Sequence, residues 1–157
     1  MNGSTLLCLA FFFLFVGCDS ERVYEQYHDF DSRSWVVTET PEFEFTIDRP
    51  QERYNLYCNV RNSSDYPYAR FFYSYYFEDS VGTVLKQELK TEVLFDNKSG
   101  KPAGTSGLGD IYDHEFRFLE NHQFGHAGKF KVKFEQFMRT DTLVGILAVG
   151  LRVEKSH

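Results

Sequence analysis

Residues 130–135 read Phe-Lys-Val-Lys-Phe-Glu, and only an extended chain sorts them. Phe130, Val132 and Phe134 then share one face, and Lys131, Lys133 and Glu135 the other. A helix would scatter both sets, because its side chains repeat every 3.6 residues rather than every two. The same period runs through Phe-Glu-Phe-Thr-Ile at 43–47 and through Tyr-Asn-Leu-Tyr-Cys-Asn-Val at 54–60, with Tyr54, Leu56, Cys58 and Val60 on one side. It returns at 143–155, where Leu147, Val149, Leu151 and Val153 oppose Ala148, Gly150, Arg152 and Glu154. At Phe137 and Met138 two apolar residues adjoin, and this slip of phase predicts a β-bulge.

The remaining segments fit the same class. Residues 69–79 are aromatic on both faces, which predicts a strand covered on both sides. Residues 61–67 and 79–82 carry the Asn, Ser, Asp, Pro and Gly of loops and turns. Residues 83–95 predict a strand, although Leu85, Leu89 and Val93, four apart, also fit one short helix near 85–94. The glycine-rich stretch 96–110 lacks the Gly-Lys-Ser/Thr of a phosphate-binding loop and reads as a long rim loop. Aromatic residues make up 18% of the chain, which suits pleated surfaces. Short strands between regular turn signals predict an all-β, antiparallel, jelly-roll-like β-sandwich over 35–157.

The N-terminal part has another character. Residues 6–17 are uncharged and apolar and end at Cys18, after which Asp19, Ser20, Glu21 and Arg22 follow. Twelve residues cannot cross a bilayer, which takes about 20, but they match the core of a secretory signal. Phe-Val-Gly-Cys at 15–18 resembles the bacterial lipobox, whose cysteine is acylated and becomes the new N-terminus. The expectation is a signal peptide over 1–17, lipid attachment at Cys18, and a lipidated tether over 18–34. Several acyl chains, palmitate among them, hold a domain firmly, at about 0.8 kcal/mol per buried methylene. Cys8 then leaves with the signal. Cys58 is left without a partner, which excludes an intramolecular disulfide and predicts a small buried core residue.

Little in the chain points to catalysis. The net charge of −6 argues against nucleic acid as a partner. Asp110, Asp113, His114 and Glu115 cluster, and an Asp113–His114 couple is the best acid–base candidate, but no nucleophile stands at a defined spacing. His122 and His126 lie four apart around a glycine, a poor metal-ligand arrangement. No catalytic residue, cofactor or metal is expected, and no small-molecule substrate. Trp35, Tyr57, Tyr73 and Tyr75 admit three readings: core, protein contact, or a stacking platform for sugars. Asp-Ser-Val at 79–81 and Asp-Thr-Leu at 141–143 resemble an O-glycosylation acceptor of Bacteroidetes, with Ser80 and Thr142 as the accepting residues.

These pieces come in a familiar order. A lipobox cysteine and an acidic tether precede Val-Arg-Asn-Ser-Ser-Asp-Tyr-Pro at 60–67. Gly-Asp-Ile-Tyr-Asp-His-Glu-Phe at 109–116 follows the glycine-rich loop, and Gln-Phe-Met-Arg at 136–139 leads into the last strand. The whole resembles the gliding-motility lipoprotein family GldH of Bacteroidetes. That resemblance implies a cell-envelope lipoprotein needed for gliding and linked to type IX secretion. It further implies action through other envelope proteins rather than by catalysis, and the acidic residues after Cys18, as Bacteroidetes sort lipoproteins, favour the outer membrane. A carbohydrate-binding lipoprotein is the alternative.

Overall fold

The computed structural model describes residues 20–156. The apolar run at 6–17 and Cys18 lie outside that range. Eleven strands are present, and no helix occurs among the described residues. They are β1 (Arg22–Asp29), β2 (Ser34–Val36), β3 (Glu42–Ile47), β4 (Arg53–Ser63), β5 (Arg70–Asp79), β6 (Val84–Val93), β7 (Thr105–Ser106), β8 (Ile111–Gln123), β9 (Gly128–Gln136), β10 (Thr142–Val144) and β11 (Ile146–Lys155). One sheet has the order β1-β11-β4-β8-β7, the other β3-β9-β5-β6, and β10 pairs with β2 in a small ribbon. All of these pairings are antiparallel. The interleaved order is that of a jelly roll, in which two Greek keys fold over each other.

The two-residue period decides what is buried. Phe43, Phe45 and Ile47 of β3, Phe130, Val132 and Phe134 of β9, and Tyr54, Leu56, Cys58 and Val60 of β4 all enter the core. Aromatic rings join the sheets across it. Tyr75 and Phe118 lie 4.5 Å apart between centroids, and Phe118 meets Phe134 edge-on at 5.6 Å. Such pairs add about 1 kcal/mol each beyond their burial. Trp35 is fully buried, stacks on Phe30 at 5.0 Å, and donates its indole N–H to the Glu39 carbonyl at 2.7 Å.

The structure corrects several sequence expectations. The expected tether 18–34 contains β1, which is hydrogen-bonded along β11 from Arg22 to Asp29. An outer strand is held largely by its backbone ladder, so its side chains stay polar and give no hydrophobic signal. The strand expected within 83–95 is β6, Val84–Val93, and the short helix near 85–94 does not form. Residues four apart lie on one face of a strand as well as a helix, so the spacing could not decide. Phe137 and Met138 are not a bulge, because β9 ends at Gln136. The single strand expected over 143–155 is broken at Gly145, whose φ of 83° turns the chain from β10 into β11. A bulge between Ile146 and Ala148 then buries Ile146 in the core and leaves Leu147 half-exposed. Finally, β5 is not covered on both sides: Phe71, Tyr73, Tyr75 and Phe77 are buried, but Phe72 and Tyr76 are half-exposed on the outer face.

Candidate functional site

The residues that suggested chemistry do not converge. Asp113 and His114 are neighbours on β8, and a strand sends neighbours to opposite faces. The Asp113 carboxylate points outward and accepts from the Arg61 guanidinium at 2.8 Å. His114 points inward, where its Nε2 lies 2.8 Å from Asn62 Oδ1. Burial pushes the ring's pKa down to about 4, so it is neutral at ordinary pH. A hollow of about 370 Å³ opens beside them, lined in part by Tyr27, Asn59, Gly104 and Thr105. The Thr105 hydroxyl donates to the Asp113 carbonyl at 3.2 Å, so it is not aimed at the imidazole. Asp110 is exposed and lies 3.8 Å from Arg33. The acid–base reading therefore has no geometry behind it.

His122 and His126 serve as aromatic packing. His122 stands edge-on to Phe124 at 4.8 Å, and His126 stacks on Phe130 at 5.1 Å. Among the described residues no group of three or more His, Cys, Asp or Glu is placed to hold a metal ion. The sugar platform is also overturned. Trp35, Tyr73 and Tyr75 are fully buried, and Tyr57 is half-buried with its hydroxyl 2.6 Å from Glu154 Oε1. Three of the four rings thus have no face to offer a ligand. Ser80 and Thr142 are exposed, Ser80 in the β5–β6 turn and Thr142 at the start of β10. The Asp79 carboxylate accepts from the backbone N–H of Val81 and of Thr83, which fixes that turn and holds its pKa below the usual range. Cys58 is buried as expected, and burial pushes its thiol up, away from reactivity.

What the sequence did not disclose is an apolar groove on the outer face of the four-stranded sheet. Half of that face is covered by charge. Lys129 reaches Glu44 at 2.7 Å, and Lys131 and Lys133 reach Glu42 at 3.2 and 3.4 Å across β3 and β9. The half over β5 and β6 carries Phe72, Leu85, Leu89 and Val93 instead. There a groove of about 510 Å³ is lined by Tyr68, Phe72, Leu89, Phe137, Met138 and Arg139. Phe137 is 61% exposed, although its N–H is tied to the Phe72 carbonyl at 2.8 Å. A fixed backbone thus holds a phenyl ring in water. Met138 packs underneath, its sulfur 3.4 Å from the Phe72 nitrogen. The signal for this face was present at 69–79, where aromatics on both faces exceed what one core can take.

The model of the GldH lipoprotein family matches residues 22–153, nearly all of the sandwich. The chain belongs to the GldH lipoprotein family. It is 32% identical over 150 residues to a protein named gliding motility lipoprotein GldH homolog from Christiangramia forsetii, covering 91% of this chain and 90% of that one. It is 28% identical over 162 residues to the gliding motility lipoprotein GldH of Flavobacterium johnsoniae, covering 99% and 98%. Among solved structures, it aligns with a chain of infectious bursal disease virus at a TM-score of 0.36 and 14% identity, over 87% of this chain but only 30% of that one. The family match begins at Arg22, the first residue of β1.

Proposed function

We propose that this chain is a lipid-anchored, non-catalytic adaptor of the gliding apparatus and of the type IX secretion linked to it. On this reading acylated Cys18 holds the sandwich at the outer membrane. The sandwich in turn offers its groove to another envelope protein. The observation that carries it is Phe137. A folded domain gains nothing in stability from holding a phenyl ring in water beside Phe72 and Leu89, whereas an interface gains from burying all three. Anchoring supports the same logic, because confinement to a membrane raises the effective concentration of a partner held there. The family relatives are named for gliding motility, which supplies the process. The test is the gliding of cells whose only copy carries Phe137→Asp, with the variant's abundance in the envelope fraction followed in parallel. Loss of gliding at unchanged abundance is expected. Normal gliding would overturn the reading.

A further inference from the structure

Strand β6 is a sheet edge. Among the described residues its ladder runs to β5 alone, and all ten of its residues are exposed or half-buried. The direction of its backbone groups follows from β5. The Phe72 carbonyl accepts from Phe137 and the Phe72 nitrogen meets Met138, so both point away from β6. Backbone groups alternate along a strand, so Phe71, Tyr73, Tyr75 and Phe77 turn theirs toward Glu92, Lys90, Glu88 and Lys86. The N–H and C=O groups of Gln87, Leu89, Thr91 and Val93 are therefore directed out of the sheet.

The side chains along this edge are complementary to their own reverse. Reading outward from Leu89, Glu88 stands against Lys90, Gln87 against Thr91, Lys86 against Glu92, and Leu85 against Val93. We propose that two copies of this chain join edge to edge by antiparallel pairing of β6 with β6, centred on Leu89. The two four-stranded sheets then become one of eight strands. Odd-numbered residues meet odd-numbered ones in this register, so the outward backbone groups of the two copies face each other. Lys86 and Glu88 of each copy find Glu92 and Lys90 of the other on the inner face. Leu85, Leu89 and Val93 meet on the outer face and continue the apolar groove across the two-fold axis.

Charge fixes the register. A slip of two residues one way sets Lys86 against Lys90 and Glu88 against itself; the other way it sets Glu88 against Glu92 and Lys90 against itself. Edge strands commonly use lysine to keep other strands away. Here each lysine has an acidic residue opposite it, so the same charges admit one partner only. Within one copy Glu88 already draws both lysines, with Lys90 at 3.1 Å and Lys86 at 3.6 Å. Glu92 is half-buried, and that burial raises its carboxyl above the usual range. Lys86 of the second copy adds a cation at Glu92 beyond the pull of Lys90 in its own copy.

The test uses the full chain in its own membrane, carrying Leu89→Cys and exposed to a mild oxidant. A Leu89 pair related by the two-fold brings two α-carbons to about 5.5 Å, within disulfide reach. A disulfide-linked dimer on a non-reducing gel is expected, at least five-fold stronger than for Lys86→Cys alone. Adding Lys86→Glu and Lys90→Glu to the Leu89→Cys chain is expected to abolish the band. Co-expression with a Leu89→Cys chain carrying Glu88→Lys and Glu92→Lys is expected to restore it as a heterodimer, which also shows that both variants fold. A Leu89→Cys yield no higher than that of Lys86→Cys would overturn the proposal. So would a dimer indifferent to charge reversal.

Discussion

Nε2 of His114 lies 2.8 Å from Oδ1 of Asn62, inside the sandwich and across the ladder between β8 and β4. The Asn62 amide nitrogen donates to the Ser63 carbonyl at 3.0 Å, which turns Oδ1 toward the ring and makes Nε2 the donor. The pair is structural. Gly104 closes over it, since a β-carbon there would stand 2.7 Å from the His114 ring and would overlap the Asp113 carbonyl.

This pair predicts a pH dependence of stability. The folded pKa of His114 is about 4, below the ordinary 6.5, so the unfolded chain binds the extra proton first. Stability is therefore fully present above the unfolded value and is lost as pH falls from there toward about 4. Between about pH 7 and pH 5 the loss from this one group is about 2 kcal/mol. Burial lowers His122 as well, with the same sign. Urea midpoints measured across that window are expected to fall with pH, and His114→Gln to flatten the fall while leaving the part due to His122.

Gly145 predicts a severe substitution. Its φ is 83°, and an added β-carbon would clash with the backbone nitrogen of Tyr66. The backbone of Tyr66 and of Asp65 is no flexible side-chain end, so the turn from β10 into β11 must distort. Gly145→Ala is expected to cost about 3 kcal/mol in denaturant unfolding. Gly82→Ala shares a positive φ of 86° but has open space around it, so the smaller cost of strain alone is expected.

Tyr73 predicts the opposite sign. Its hydroxyl is buried with no oxygen or nitrogen partner among the described residues, and the Cys58 thiol against it is only a weak hydrogen-bond partner. Tyr73→Phe removes a poorly satisfied polar atom at nearly constant shape, and is expected to leave stability unchanged or to raise it by about 1 kcal/mol in the same assay.

The parts of this fold legible in the sequence are those where one face is buried and the other wet. Phe43, Phe45 and Ile47 announce β3, and Phe130, Val132 and Phe134 announce β9, because alternation is the imprint of that asymmetry. Strand β1 left no such imprint, since Tyr24 is its one apolar residue packed against the core and the other ring there is His28, on Phe30. Its place depends on the ladder with β11, which is a long-range fact. The groove was hidden for a related reason. Phe72 and Phe137 look like core residues by type, and only the geometry of β5 and β9 shows that the core was already full. The lure of Asp113 and His114 dissolved for the simplest reason, that adjacent strand residues face apart.

The most direct measurement is a site-specific photo-crosslink in gliding cells, from Phe137 in the groove and from Leu108, which is 90% exposed outside the groove, as the reference. Phe137 is expected to yield a discrete adduct with a gliding or secretion protein of the envelope, Leu108 to yield none, and Phe72→Asp to abolish the adduct. Equal labelling from both positions, or an adduct untouched by Phe72→Asp, would contradict the adaptor reading.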